Sequence, residues 1–325
     1  MELFTFNLER RFDMSLSWID RIRYSPFFTQ LVVTRKCNLS CAYCNEFDKT
    51  SEPVLVTLLK QRAGKLKELG AFSICLTGGE PTLHPDLPEM IRYCRRELRF
   101  FKTSMITNGF LLSEKMIGAL NDAGLQDMQI SIDGVKPNET TVKVLDSLRK
   151  RLSDLRKFAR FNVVVSGVVG ASNPEETFEV IRYARHMGFR PRYLLVHDHD
   201  GQVKLSADEL KAYQKIKKMV GRHPFELSRY REEILTKGTS PFKCRAGSRY
   251  LYVDEEGIVS WCSQTRHVFR KPLMDYRFED LRREFYTFKS CQDRCTLGCV
   301  RSASSVDGWR RQETIVSPCE QSLTA

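Results

Sequence analysis

Six apolar segments, each followed by a segment with helical periodicity, constrain the fold of this chain more than any other feature of its sequence. They alternate from about residue 29 to about residue 198. Strands this apolar, separated by helices, are typical of a parallel sheet that is covered by helices. Six successive units predict an α/β fold, a partial (β/α)6 TIM-like barrel whose loops at the carboxyl ends of the strands converge on one site. The predicted strands are FTQLVVT (28–34), AFSICLT (71–77), KTSMIT (102–107), DMQISI (127–132), FNVVVSGVV (161–169) and PRYLLVH (191–197).

The predicted helices and the change of pattern near residue 238 divide the chain into three parts. After Thr239-Ser240-Pro241 the strands become short, cysteines recur and the strand–helix alternation ends. Ser113 and Asn173 have the residue types that cap the first turn of a helix. The predicted helices span about 54–69, 86–98, 113–121, a long segment within 138–159, 173–188 and 206–236, the last of which would close or extend the barrel. The predicted parts are an N-terminal extension (1–28), the partial barrel (29–238) and a small cysteine-rich domain (239–325).

Composition and charge narrow the location and the partners. No apolar run approaches the roughly 18 residues of a membrane span, and the N-terminus lacks a signal-peptide core, so we expect a cytoplasmic protein. The net charge of +12 reflects 52 Lys and Arg against 40 Asp and Glu. The basic stretches 143–160 and 204–222 are either solvated helix faces or attract an anionic partner. Without an RNA-recognition or zinc-finger pattern, nucleic acid is not an expected partner.

Eleven cysteines are the second informative feature. Cytosolic thiols are kept reduced, so clustered cysteines in that compartment more often bind metal than form disulfides. Three lie in the window 37–44 and six lie between 244 and 319. Cys75 and Cys94, in apolar and helical contexts, are predicted to be small core residues.

The first group forms the loop TRKCNLSCAYCNEF directly after the first predicted strand, with Cys37, Cys41 and Cys44 in C-x3-C-x2-C spacing. Three thiolates on one short loop can occupy three corners of an iron–sulfur cubane. The missing fourth protein ligand leaves one iron open to a small molecule, as a catalytic zinc site keeps an open position. The alternative is a structural zinc loop.

This loop resembles the signature of the radical S-adenosylmethionine (SAM) superfamily. The resemblance implies a [4Fe–4S] cluster whose open iron binds SAM, reductive cleavage to methionine and a 5′-deoxyadenosyl radical, and hydrogen abstraction from a substrate. It also implies an electron donor such as flavodoxin or ferredoxin. Tyr43 matches the aromatic position that packs near the adenine in this family.

The ends of the later strands carry similar motifs. Gly78-Gly79-Glu80-Pro81 resembles the motif that receives the SAM amino group, and Asn108 and Asp133 follow the third and fourth strands. Each motif read alone is also an ordinary turn. The SAM-binding residues that the resemblance implies are Tyr43, Gly78, Gly79, Glu80, Pro81, Asn108, Ser131, Asp133 and Ser166, with Val168, Leu195 and Val196 as apolar lining.

The second group resembles the SPASM extension of radical SAM enzymes, which binds auxiliary [4Fe–4S] clusters. Cys244 and Cys262 stand in C-x12-G-x4-C spacing around a predicted hairpin that turns at Gly257. Six cysteines cannot ligate two cubanes fully, so either one cluster is fully held or two have open or non-cysteine ligands; a zinc ribbon is the alternative. The later cysteines are Cys291, Cys295, Cys299 and Cys319, which lack one cysteine of the family pattern and alter one spacing.

The reaction is predicted only in outline. The favoured substrate is a small metabolite, sugar or lipid that undergoes net oxidation or rearrangement; a ribosomal peptide and a nucleic acid are the alternatives, and a non-catalytic iron–sulfur or zinc protein is the non-enzyme alternative. His197 and His199, which follow the sixth strand, and Asp133 are the candidate proton acceptors.

Overall fold

The computed structural model describes residues 18–196, 203, 205–221 and 230–305. Its strands form one nine-stranded sheet in the order β6-β5-β4-β3-β2-β1-β7-β8-β9. The strands are β1 (Phe28–Thr34), β2 (Ser73–Gly78), β3 (Lys102–Thr107), β4 (Asp127–Ser131), β5 (Asn162–Val169), β6 (Arg190–Leu195), β7 (Tyr250–Val253), β8 (Ile258–Ser260) and β9 (Lys271–Pro272).

The first six strands pair in parallel with their neighbours in the sequence, which confirms the predicted α/β fold and its partial barrel. Their registers bring the carboxyl ends of the strands to one rim of the sheet. In β1 and β2, for example, Phe28 pairs with Ser73 and Thr34 pairs with Gly78. Loops that follow these strands therefore meet at one place.

Most of the helices cover one face of this sheet, and the last one packs with Val32 and Tyr250 on the other face. The helices are α1 (Trp18–Tyr24), α2 (Val56–Glu68), α3 (Leu87–Arg92, continued by a π turn at Tyr93–Glu97), α4 (Glu114–Ala123), α5 (Leu145–Phe158), α6 (Pro174–His186), α7 (Ala207–Val220), α8 (Tyr230–Lys237), α9 (Phe278–Tyr286) and α10 (Gly298–Ser305). The caps predicted at Ser113 and Asn173 are confirmed, since each side chain accepts a hydrogen bond from the first turn of its helix. None of these helices, which are those of the described residues, combines the length and apolarity needed to cross a bilayer.

The helix predicted within 138–159 is confirmed and spans Leu145–Phe158. The residues before this helix form a loop. In it, the amide of Asp133 donates to the Lys143 carbonyl at 2.8 Å, and Gly134 forms a β-bridge with Val144. Asn138 opens this loop because its side-chain oxygen accepts from the amides of Thr140 and Thr141, both at 2.9 Å. A side chain that satisfies backbone amides in this way competes with the helix.

The two faces of the sheet differ in chemistry. Alternate residues such as Leu31 and Ile74 pack under the helices in the main core. The other face carries polar side chains that bond to one another, including Gln129, which donates to Ser166 (3.3 Å) and accepts from Arg192 (3.0 Å). A buried polar face is stable when its groups are paired in this way, and it gives the barrel a polar lumen.

The cysteine-rich segment continues the same sheet. Strand β7 pairs in parallel with β1, and β8 pairs antiparallel with β7. The predicted hairpin is confirmed, with Gly257 at φ 85° in the turn. The predicted domain boundary near residue 238 stays a prediction, although this pairing joins the segment after it directly to the first barrel strand.

Candidate active site

The three-cysteine loop leaves the carboxyl end of β1 and is tied back to its own start. The amide of Cys37 donates to the Asp48 carbonyl, and the amide of Asp48 donates to the Arg35 carbonyl, both at 3.0 Å. The ammonium of Lys49 donates to the carbonyls of Cys37 (3.1 Å) and Leu39 (2.8 Å). The loop is therefore held as a closed structure at the rim of the barrel.

The thiols of this loop lie in surroundings that favour bound metal over free thiolate. Cys41 is buried, with its sulfur 3.7 Å from the Thr141 hydroxyl, and the Leu39 amide points at the Cys37 sulfur at 3.4 Å. Burial raises the pKa of the Cys37 and Cys44 thiols, so the thiolates need a positive partner to persist at neutral pH. Iron supplies that charge, so the residues fit a cluster. Within the described ranges, no three Cys, His, Asp or Glu side chains are arranged to hold a single metal ion.

Gly78 and Gly79, at the end of β2, leave room for the backbone that leads into the cysteine loop. Gly78 has φ 151°, a conformation that favours glycine. A Cβ on Gly79 would lie 2.7 Å from the carbonyl carbon of Lys36 and closer still to its oxygen. The amide of Gly79 donates to the Thr34 carbonyl and that of Glu80 to the Lys36 carbonyl, both at 2.9 Å. These glycines thus let the second strand end contact the backbone that leads into the cysteines.

Glu80 joins the ends of β2 and β3. Its carboxylate is fully buried and accepts from the Thr82 amide (3.0 Å) and hydroxyl (2.5 Å), the Thr107 hydroxyl (2.7 Å) and the Asn108 amide (2.7 Å). Burial raises the pKa of this carboxyl, and the four donors oppose the rise. Pro81 begins a short 3-10 turn after it. The expected contact of Glu80 with the SAM ammonium stays a prediction, since the contacts seen here are with the protein itself.

Asn108 connects the end of β3 to the cysteine loop. Its side-chain nitrogen donates to the Asn38 side-chain oxygen at 2.8 Å and lies 3.8 Å from the Cys37 sulfur. Its side-chain oxygen accepts from the Phe110 amide at 3.0 Å, which fixes the orientation of the group. The third strand end therefore meets the first cysteine directly.

Asp133 connects the end of β4 to the same loop. Its fully buried carboxylate accepts from the Tyr43 hydroxyl (2.5 Å) and the Thr141 hydroxyl (3.1 Å), and it pairs with the Lys143 ammonium (3.3 Å). Burial, and then the charge of Asp133, raise the pKa of Tyr43 well above its ordinary value. The Lys143 ammonium also lies over the Tyr43 ring in a cation–π contact, 5.0 Å from the ring centre. The aromatic ring of the loop is thus held in one orientation by the fourth strand end.

Of the remaining predicted site residues, Ser131 joins this group, and the others lie apart from it or outside the described residues. Ser131 contacts Asp133 (3.3 Å) and Lys143 (3.2 Å), but Ser166 is buried in the lumen against Gln129. His197, His199 and Cys319 lie outside the described residues. Sequence reasoning missed Thr141 and Lys143 as site residues; the turn-forming Pro137-Asn138 was the signal that this segment is a loop.

The C-terminal cysteines are brought together from two segments. Cys244 and Cys262 pack with Cys295 and Cys299 in one cluster that includes Trp261. The two segments are joined where the Cys244 amide donates to the Gln292 side chain at 3.1 Å, while Cys291 lies at the exposed edge. Burial raises the pKa of the Cys244 thiol to about 11, with the nearby Lys289 opposing the rise.

Buried cations surround these thiols. Arg245 and Lys289 are 1% exposed and Arg301 is 5% exposed. Lys289 donates to the carbonyls of Glu284 (2.6 Å) and Thr287 (3.1 Å). A buried positive charge is stable only beside negative charge or strong acceptors, so this donor set fits an anionic, thiolate-bound metal group.

A barrel whose first four strand ends meet at a three-cysteine loop defines a cofactor-dependent enzyme of the α/β barrel class. The sequence matches the Radical SAM superfamily over residues 31–213, more than half of the chain. The chain therefore belongs to the radical SAM superfamily, which confirms the family predicted from the cysteine loop.

The relatives differ in their reactions. A probable GTP 3′,8-cyclase of Sulfolobus acidocaldarius is 33% identical over 164 residues, 48% of this chain and 51% of that protein. The PqqA peptide cyclase of Bradyrhizobium diazoefficiens is 32% identical over 114 residues, 34% of this chain and 30% of that protein. The chain thus spans about half the length, or less, of these relatives. The crystal structure of Streptococcus suis SuiB bound to precursor peptide SuiA shares the fold, with TM-score 0.59, 16% identity and coverage of 80% of this chain and 64% of that chain.

Proposed function

We propose that this protein cleaves SAM reductively and uses the resulting radical to abstract hydrogen from a substrate in the barrel lumen. The observation that carries the proposal is the convergence of strand ends on the cysteine loop. Asn108 reaches the Cys37 sulfur, Asp133 holds Tyr43, and the Gly79 amide bonds to the backbone before Cys37. Three independent strand ends would not need to meet a loop that served only as a structural zinc knot.

Cys37, Cys41 and Cys44 would hold the cluster, which when bound supplies the electron that breaks a C–S bond of SAM, releasing methionine and the 5′-deoxyadenosyl radical. The protein's own part is orientation. Asp133 and Lys143 hold the Tyr43 ring, against which the adenine would stack. The SAM contacts of the proposal are Tyr43, Gly78, Gly79, Glu80, Pro81, Asn108, Ser131, Asp133 and Ser166, the nine positions that the sequence motifs predict.

Cys244, Cys262, Cys295 and Cys299, with Cys291 at the edge, would hold an auxiliary [4Fe–4S] cluster. Four thiols in one packed cluster can ligate one cubane fully. Such a cluster can take up the second electron of an oxidation. A flavodoxin or ferredoxin would supply the electron for SAM cleavage, and the acid–base roles of His197 and His199 stay part of this proposal.

The substrate of the proposal is a small anionic metabolite. Arg192 projects from β6 on the polar face of the sheet and donates to the Gln129 side chain at 3.0 Å. Among the described residues, no carboxylate forms an ion pair with its guanidinium. A cation of this kind in a polar lumen suits a carboxylate or phosphate of a substrate. GTP is the first compound to test, because several of the relatives are named GTP 3′,8-cyclases.

SAM cleavage is tested on anaerobically reconstituted protein with dithionite as reductant. Mass spectrometry should detect 5′-deoxyadenosine from the wild-type chain and none from Cys37→Ala, Cys41→Ala or Cys44→Ala. Cys94→Ala is the matched control, because this buried cysteine lies in the helical core and should keep the activity. Iron-replete wild-type protein that forms no 5′-deoxyadenosine would refute the proposal.

A ribosomal peptide is the second candidate substrate, favoured by the likeness to SuiB, whose structure contains a precursor peptide, and to a PqqA peptide cyclase. Deuterated GTP and deuterated peptides encoded beside the gene are incubated separately with the enzyme and SAM. Deuterium in 5′-deoxyadenosine identifies the substrate class. Transfer from a peptide, with none from GTP or other small anions, would replace the metabolite by a peptide.

A further inference from the structure

Arg301 is a buried cation with neutral partners. Its guanidinium donates to the Cys295 carbonyl (2.6 Å) and to the hydroxyl (3.3 Å) and carbonyl (3.0 Å) of Ser240. The rings of Tyr230 and Phe242 lie 4.5 Å and 4.4 Å from it. In the described parts of the chain, no carboxylate forms an ion pair with this guanidinium.

Lys289 is a second buried cation near these cysteines, with its ammonium 5.3 Å from the centre of the Trp261 ring. Among the described residues, it pairs with the carboxylate of Glu284, 3.7 Å from the ammonium. That carboxylate also pairs with Arg283 (3.1 Å) and accepts from the Trp261 indole (2.7 Å). One buried carboxylate is therefore shared by several donors, and in the part of the chain that the structure describes positive charge is in excess around the cysteines.

Buried charge of one sign is costly unless a charge of the other sign lies near it. A [4Fe–4S] cluster bound by four thiolates is anionic, and an added electron makes it more so. Fixed cations beside it favour the reduced state over the oxidised state, and charge around a cluster is one of the factors that set its potential. The excess of cations has a physical reason if such a cluster occupies the site.

We propose that Arg301 and Lys289 are positioning residues of the auxiliary site, in which Arg301 fixes the backbone of Cys295 and both cations raise the midpoint potential of the cluster. This inference rests on the auxiliary cluster of the proposed function. The inference goes beyond the proposed function because it names the charged side chains that make the cluster an electron acceptor. An acceptor of raised potential is suited to removing an electron from a substrate radical, which is oxidised as the cluster is reduced.

The test uses the full chain with Cys37, Cys41 and Cys44 changed to Ala, so that only C-terminal iron remains. Into this background we introduce Arg301→Gln, Arg301→Lys and Lys289→Gln. Arg160→Gln is the matched control, because this arginine is 70% exposed and pairs with Asp122 far from the cysteines. Iron and sulfide are measured per chain, and the midpoint potential is measured by titration with dithionite followed by electron paramagnetic resonance.

Arg301→Gln and Lys289→Gln should each lower the midpoint potential by about 59 mV or more, a tenfold change in the one-electron equilibrium. Arg301→Lys keeps the charge and should keep most of the potential while losing iron more readily, since it loses the paired hydrogen bonds to Ser240 and Cys295. Arg160→Gln should change neither quantity.

An unchanged potential in iron-replete Arg301→Gln and Lys289→Gln would overturn the inference. Should Arg301→Gln fail to assemble a cluster, the Lys289→Gln titration alone decides the question of charge. A background protein that binds zinc, or no metal, overturns both this inference and the auxiliary cluster, whereas SAM cleavage by the wild-type chain would still stand.

Discussion

The substitution Gly79→Ala tests whether the second strand end holds the cysteine loop in place. The new methyl group would lie 2.7 Å from the Lys36 carbonyl carbon, a distance that real Cβ atoms essentially never show. The obstructing atoms are backbone, so the loop must move rather than a side chain. That movement strains or breaks two hydrogen bonds, Gly79 to Thr34 and Glu80 to Lys36.

The cost of this substitution follows from two contributions. Forcing an extra methyl group into a packed site costs about 1–3 kcal/mol, and the loss of two backbone hydrogen bonds adds about 1 kcal/mol each. We therefore expect the free energy of unfolding to fall by about 3–5 kcal/mol. Because the displaced backbone leads directly into Cys37, we also expect less iron to be retained after reconstitution.

Gly64→Ala is the matched control for this prediction. Gly64 lies inside α2, and a Cβ there would meet no atom within 4 Å. Alanine in a helix interior should stabilise the chain by about 0.5–1 kcal/mol. Urea unfolding followed by circular dichroism, with iron analysis of the same samples, measures both variants. A Gly79→Ala protein as stable as Gly64→Ala and with full iron would refute the reasoning.

Three further predictions concern the same rim. Asp133→Asn should lower the free energy of unfolding by about 3 kcal/mol, because it leaves the half-buried Lys143 ammonium without its carboxylate; a double-mutant cycle with Lys143→Met should recover part of this loss, and additive effects would contradict the pairing. Asn108→Ala should weaken iron retention more than stability, since it removes the contact with the Cys37 sulfur; equal iron in variant and wild type would count against it. Hydrogen bonds from Ser51 hold the pKa of Asp48 below its usual value, so the stability this carboxylate contributes is present above the ordinary Asp pKa of about 3.9 and is lost as the pH falls through the depressed value. Asp48→Asn should therefore lose less stability on acidification between about pH 5 and 3, measured by urea unfolding at several pH values, and an unchanged acid profile would show that the pKa shift is immaterial.

The barrel strands were predictable because their pattern is local. Strands β1 and β3 have the predicted bounds, and the remaining barrel strands begin or end within two residues of the prediction. A strand under a helical layer needs apolar residues at alternate positions, and this requirement is written into a few consecutive residues. The parallel pairing then follows from the helix between each pair of strands.

The cysteine loop and the strand-end motifs were predictable for a related reason. The carboxyl ends of parallel strands must share one rim, so residues after β1, β2, β3 and β4 must meet. The role of each residue at this rim was harder to predict from the sequence. The sequence predicted Gly78 and Gly79 as SAM-binding residues, whereas in the structure Gly79 also makes room for the backbone of Lys36. Thr141 and Lys143 were not predicted as site residues, because the turn signal of Asn138 was not used to place this loop at the rim.

By itself, then, the sequence determined the alternation of strands and helices, the superfamily and the rim at which chemistry takes place, since each depends on residues close together in the chain. Only the tertiary structure decided that β7 joins β1, that Asp133 holds Tyr43, and that Lys289 and Arg301 surround the distant cysteines. These contacts join residues far apart in sequence, and their formation depends on the register and packing of the whole sheet. A short-range sequence pattern does not specify which distant charge or strand will lie beside it in the fold.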